Sequence, residues 1–166
     1  MDRRRAPVTD AVLGEIAYSE PMGWEGSYTF LFLGREVTVR MALGGWDEED
    51  PVTPVQRDAV EQFSLRKAEL CEQADDALYA EYQKRLPELR EQFGDDADKL
   101  MPIIADKQGL AKLVKPDFFL VAYPRRGSTD RIVALMYNCT WDVELGIAVK
   151  FVNEQIVEVG PQNIVL

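Results

Sequence analysis

The chain has 166 residues, enough for one domain with a sizeable core, and its composition, 46% hydrophobic and 29% charged, excludes a disordered chain. No apolar run approaches the roughly 20 residues that carry a helix across a bilayer, so no membrane segment is expected. With 29 acids against 19 bases the formal charge is −10, which argues against nucleic acid as a direct ligand and suits encounter with a basic partner. Histidine is absent, which removes Ser-His-Asp and Cys-His nucleophilic sites and the commonest general base near neutral pH. The two cysteines, Cys71 and Cys139, cannot close a structural zinc site alone, and no metal or cofactor is expected.

Residues 1–10 (MDRRRAPVTD) carry a basic cluster with no hydrophobic stretch behind it. They read as the flexible start of a cytoplasmic protein and not as a secretory signal. The rest, 11–166, shows no linker strong enough to divide it, so 1–166 reads as a single domain. Ala11–Tyr18 reads as a short strand. Ser27–Leu33 and Glu36–Leu43 flank Gly34-Arg35 as a hairpin, with Val37, Val39 and Met41 alternating with Thr38, Arg40 and Ala42 at the period of a half-buried strand.

Residues 53–114 read as helical. Thr53, Pro54 and Gln56 supply a cap, a first-turn proline and a capping-box partner. Phe63, Leu70, Ala74, Leu78, Tyr82, Leu86, Leu89 and Phe93 then trace one stripe, interrupted at Pro87, where a kink or break is expected, and ended at Gly94. Shorter helical pieces are expected over 97–105 and 107–114, divided near Asp106.

Residues 117–166 return to strands. Asp117–Tyr123 and Arg131–Asn138 are near-continuous apolar runs, as in central strands covered on both faces. Ile147–Val152 and Gln155–Val159 flank Asn153-Glu154 as a last hairpin. The order of strands, helices and strands implies an α+β fold. It would have a mostly antiparallel sheet built from the N- and C-terminal strands, with a central helical insertion packed on one face.

Three stretches could carry function. Trp46 stands beside four consecutive acids, Asp47, Glu48, Glu49 and Asp50. They could cover a basic partner with Trp46 as anchor, or feed the helix at Thr53 as a solvated linker. Arg125 and Arg126 sit in the turn-like PRRGSTD, where they could hold an anion or be solvated charges. Asn138–Phe151 (NCTWDVELGIAVKF) reads as a structural corner. Cys139–Leu145 would connect two strands, Trp141 would cover the core, and Asp142 would bond nearby backbone; an acid–base pair of Asp142 with Glu144 is disfavoured by their spacing of two residues. That corner could border a binding surface.

The stretches YNCTWDVELGIAVKFVNEQIVEVGPQNIVL and LGEIAYSEPMGWEGSYTFLFLGREVTVRMAL resemble a bacterial family of domains of unknown function. Its signature is a C-terminal Cys-Thr-Trp-Asp followed by Val-Gly-Pro-Gln. The resemblance implies an association of some relatives with toxin–immunity loci, and no catalytic residues. Two departures stand out. Val143-Glu144-Leu145-Gly146 replaces a Pro-Glu-His-Gly that is frequent in such domains, and Asn153-Glu154 replaces Asn-Gly. Glutamate tolerates positive φ poorly, which argues against a tight type I′ turn there.

The expected function is a non-enzymatic protein-binding module, of the immunity type, masking a basic protein such as a toxin. The alternatives are a carboxylate-based hydrolase and an accessory module of a larger assembly.

Overall fold

The computed structural model describes residues 7–20, 22–45 and 52–165. Among them are eight strands: β1 Val8–Asp10, β2 Gly14–Ser19, β3 Gly23–Phe32, β4 Arg35–Gly44, β5 Val114–Val121, β6 Ile132–Cys139, β7 Asp142–Val152 and β8 Gln155–Gly160. They lie in one sheet in chain order. Neighbours are antiparallel except β4 and β5, which are parallel. Between these two the chain forms α1 Pro54–Leu65, α2 Lys67–Phe93, α3 Ala97–Leu100 and a 3₁₀ turn at Lys107–Lys112. The architecture is α+β, with strands from both ends of the chain and the central helices packed on the sheet, as the sequence implied.

Local signals account for much of this. Thr53 Oγ1 accepts the Gln56 N–H at 3.2 Å, and Gln56 Oε1 accepts the Thr53 N–H at 3.0 Å, so α1 opens on a complete capping box. Gln56 is buried, and its amide also donates to the carbonyls of Leu43 and Val121. One side chain thereby caps a helix and ties together the ends of β4 and β5.

The apolar stripe of the helices meets one face of the sheet. Phe63 packs between Phe119 and Phe151, with ring centroids 5.2 Å from each, and Tyr28 lies 4.2 Å from Phe119. On the reverse face a smaller cluster of Ala134, Met136 and Ala148 is flanked by Phe118, Leu120 and Ile164. Strand β6 is therefore buried on both sides, which explains its unbroken apolar run.

Several boundaries differ from the sequence reading, each for a local reason. Val8–Asp10 is a strand rather than flexible chain, and Ala11–Leu13 is a turn rather than a strand. Asp10 Oδ1 accepts the N–H groups of Val12 and Leu13 and so turns the chain. Arg57 holds the other oxygen at 2.7 Å. Burial works to raise the Asp10 carboxyl, but Arg57 and the two N–H groups outweigh it and hold it below its ordinary range.

Helix α2 runs through Pro87 without ending. Leu86 and Leu89 pack into the core on either side, and that burial offsets the missing N–H. The break falls at Arg66 instead, where φ is −120°. The hairpin between β3 and β4 turns on Leu33-Gly34 and not Gly34-Arg35. Asn153 and Glu154, with φ of 49° and 63°, do form the tight turn that the glutamate argued against. Arg131 makes this possible. Its guanidinium grips both Glu154 carboxylate oxygens at 2.8 and 2.9 Å, while its backbone N–H and C=O bond Asn153.

Candidate functional site

The sheet is closed at one end of the β4–β5 junction and open at the other. The two-residue turn makes Phe32 and Arg35 a directly bonded pair, so Arg35, Val37 and Val39 direct their peptide groups toward β3. Glu36, Thr38, Arg40 and Ala42 then face β5. Arg40–Ala42 meet Phe118–Leu120, and the parallel ladder stops there. Among the described residues Glu36 and Thr38 have no strand partner on that side. On the other strand the register shifts between Pro116 and Phe118, and Pro116 has no N–H to offer. Below this point β5 leaves the 3₁₀ turn at Lys107–Lys112 and the two strands diverge.

A cleft of about 720 Å³ occupies the divergence. That volume falls within the range of small-ligand pockets. Its apolar wall comes from Phe32, Leu33, Val37, Leu113, Val114 and Pro116. Arg35, Lys112 and Lys115 supply three positive charges, and no acid among the described residues lines it. None of the three cations has an ion-pair partner among the described residues. Glu36 and Asp117 adjoin the cleft in sequence without lining it. A positive concavity on a chain of net charge −10 is a local reversal of sign, of the kind that would suit an anion.

Asn138, Cys139 and Thr140 form one wall of the cleft, so the corner does border it. The connection is shorter than the expected Cys139–Leu145. Only Thr140 and Trp141 join β6 to β7, and Val143–Gly146 bulge from the β6–β7 ladder between the Cys139–Asp142 and Tyr137–Ile147 pairs. Thr140 anchors the corner, its N–H to the Leu113 carbonyl at 3.0 Å and its hydroxyl to the Leu100 carbonyl at 2.7 Å. Trp141 stands edge-on to Tyr82 at 5.1 Å, away from the cleft. Asp142 accepts the Leu145 N–H at 3.0 Å. Gly146 has φ of 61°, and a Cβ there would run into the Tyr137 carbonyl, so the bulge needs glycine.

The other expected site residues lie elsewhere. Arg125 and Arg126 are exposed in the β5–β6 loop, and Trp46, Asp47, Glu48, Glu49 and Asp50 lie outside the described residues.

Two further groups are buried beside the cleft. Asp75 is 5% exposed and accepts the Leu33 N–H at 3.0 Å. Burial pushes its carboxyl up to about 6. It shares a recess of about 390 Å³ with Glu72 and Lys107. Glu72 and Asp75 stand one turn apart on a single helix rather than across a cleft, which does not suit a pair of hydrolytic carboxylates. The Tyr137 hydroxyl is fully buried with no hydrogen-bond partner among the described residues. The thiols are shielded: burial pushes Cys71 up to about 12 and Cys139 up to about 11. Among the described residues no three acid, cysteine or histidine side chains gather as a metal site. No described helix is long and apolar enough to cross a membrane.

Sequence reasoning missed Arg35, Lys112 and Lys115. They come from three separate elements, and no spacing marks them. Comparison with curated proteins and with solved structures gave no match. The family comparison did, and over residues 12–166 the chain belongs to the family described as a domain of unknown function, DUF6985.

Proposed function

We propose that the domain is a binding module whose ligand carries an anionic group on an apolar body, held in the β4–β5 cleft. The observation that carries this reading is the trio Arg35, Lys112 and Lys115 around an apolar wall, with neither an ion-pair partner for them nor an acid in that wall among the described residues. Unpaired cations at a concave apolar surface are poised to take a carboxylate or phosphate. The protonated, buried thiols of Cys71 and Cys139 support binding over covalent catalysis. Decanoate titrated into the ¹⁵N-labelled chain tests the reading. Saturable shifts should appear at Arg35–Val37 and Lys112–Pro116. The triple change Arg35→Glu, Lys112→Glu, Lys115→Glu should weaken binding about tenfold or more. Shifts scattered over the surface, or none, would count against the cleft.

A second reading keeps the masking of a basic protein, such as a toxin, by Trp46 and Asp47–Asp50. The net charge of −10 favours it. Converting the four acids to their amides should slow association with such a partner and flatten its salt dependence. The two readings use different parts of the chain and are separable by these variants.

A further inference from the structure

We infer that the occupant of the cleft is an extended acidic peptide that adds to β4 as a new strand. This rests on the anion-binding reading of the cleft and goes further by assigning the ligand a backbone. The register supplies the first support. Glu36 and Thr38 each turn an N–H and a C=O toward β5, yet the ladder with β5 begins only at Arg40. A strand edge left open in this way is a template for another chain. The open stretch lies beside the cleft that Arg35 and Val37 line from the same strand.

Charge supplies the second support. Arg35, Lys112 and Lys115 match acidic side chains or a terminal carboxylate, and they would repel a basic segment. An added strand points alternate side chains to opposite faces. One set can therefore enter the apolar wall at Phe32, Val37 and Val114 while the other stays at the rim. Two open residues offer about four main-chain hydrogen bonds. The main chain thus sets direction and register, and the cations select composition. A small amphipathic anion would use the charges and the wall but leave the peptide groups of Glu36 and Thr38 unpaired.

The test uses the full chain and a six-residue peptide alternating glutamate and valine, with decanoate run in parallel. Two further versions of the peptide carry N-methyl groups, one on odd and one on even positions, which delete donors from one edge at a time. Binding of the parent peptide should shift the Glu36 and Thr38 amides and slow their hydrogen exchange about tenfold. At least one N-methylated version should lose about tenfold in affinity. Two methylated versions that both bind like the parent would overturn strand addition, as would occupancy by decanoate with no peptide binding; the anion-binding reading survives either result. If neither decanoate nor peptide binds, both proposals fall.

Discussion

Among the described residues two hairpin turns hold residues other than glycine in the left-handed region, Leu33 in one and Asn153 with Glu154 in the other, and each turn is steadied by a carboxylate. At Leu33-Gly34, beside the cleft, Asp75 takes the Leu33 N–H from a buried position on α2. At Asn153-Glu154, Glu154 is itself in the turn and is gripped by Arg131 through two bonds. The second carboxylate is paired, with the Arg131 guanidinium bonded to both of its oxygens. The first is buried with no cation bonded to it, and Lys107, its nearest cationic influence, is bonded to Asp76 instead. The same backbone strain is therefore held in one place by an ion pair and in the other by an acid that the fold would rather keep neutral.

The largest consequence is a pH dependence at the first turn. The folded-state pKa of Asp75, about 6, lies above its ordinary value of 3.8. The protonated form is the one that folding favours, so this group's stabilisation is complete below about pH 4 and is lost as pH rises toward 6 and 7. A shift of this size corresponds to roughly 2–3 kcal/mol across that window. Desolvation is the leading cause, and Asp76 and Glu72 add to it, against Leu33 and Lys107. Urea denaturation at pH 4.5 and at pH 7 should show the loss, and Asp75→Asn should flatten it. An unchanged pH profile in that variant would place the effect elsewhere.

At the second turn, Arg131→Ala leaves the largely enclosed Glu154 side chain without its partner. It should cost about 2 kcal/mol at pH 7, measured by the same denaturation. Smallest is Glu154→Gly. Loss of the ion pair and relief of the positive φ oppose each other, and the net change should stay within about 1 kcal/mol. In the Arg131→Ala background the glycine relieves the positive φ and also removes the unpaired carboxylate, and it should then stabilise by about 1 kcal/mol or more. A glycine that destabilises equally in both backgrounds would show that the ion pair is not what makes Glu154 tolerable.

These turns also show what sequence can disclose. The opening of α1 was legible because Thr53, Pro54 and Gln56 act on one another within a single turn. The alternation of Val37, Val39 and Met41 was legible because the sheet buries one face of β4. Glu154 misled because its conformation is decided by Arg131, on a different strand. Asp10 misled because a side chain bends the backbone ahead of the strand it was expected to precede. The cation trio is hidden more deeply. Arg35 follows a turn, Lys112 ends a 3₁₀ segment and Lys115 sits early in β5, and only the parallel pairing of β4 with β5 brings them together. Corner residues fared better: Thr140, Trp141 and Asp142 satisfy or cover neighbours, which is what their chemistry suggested.

The short parallel ladder also carries a closure cost that the other ladders do not. β1–β4 and β5–β8 are two meanders whose contacts are local and can zip from their own turns. β4 and β5 must instead find each other across the whole helical region, for three residues of ladder and the two bonds from Gln56. Closure entropy of that span opposes their union, and α1 helps offset it by laying Phe63 over Phe119 and Phe151. The seam between the meanders is thus the junction of the sheet that closes the longest stretch of chain. A polypeptide entering beside it would act as a splint, slowing unfolding more than it speeds folding.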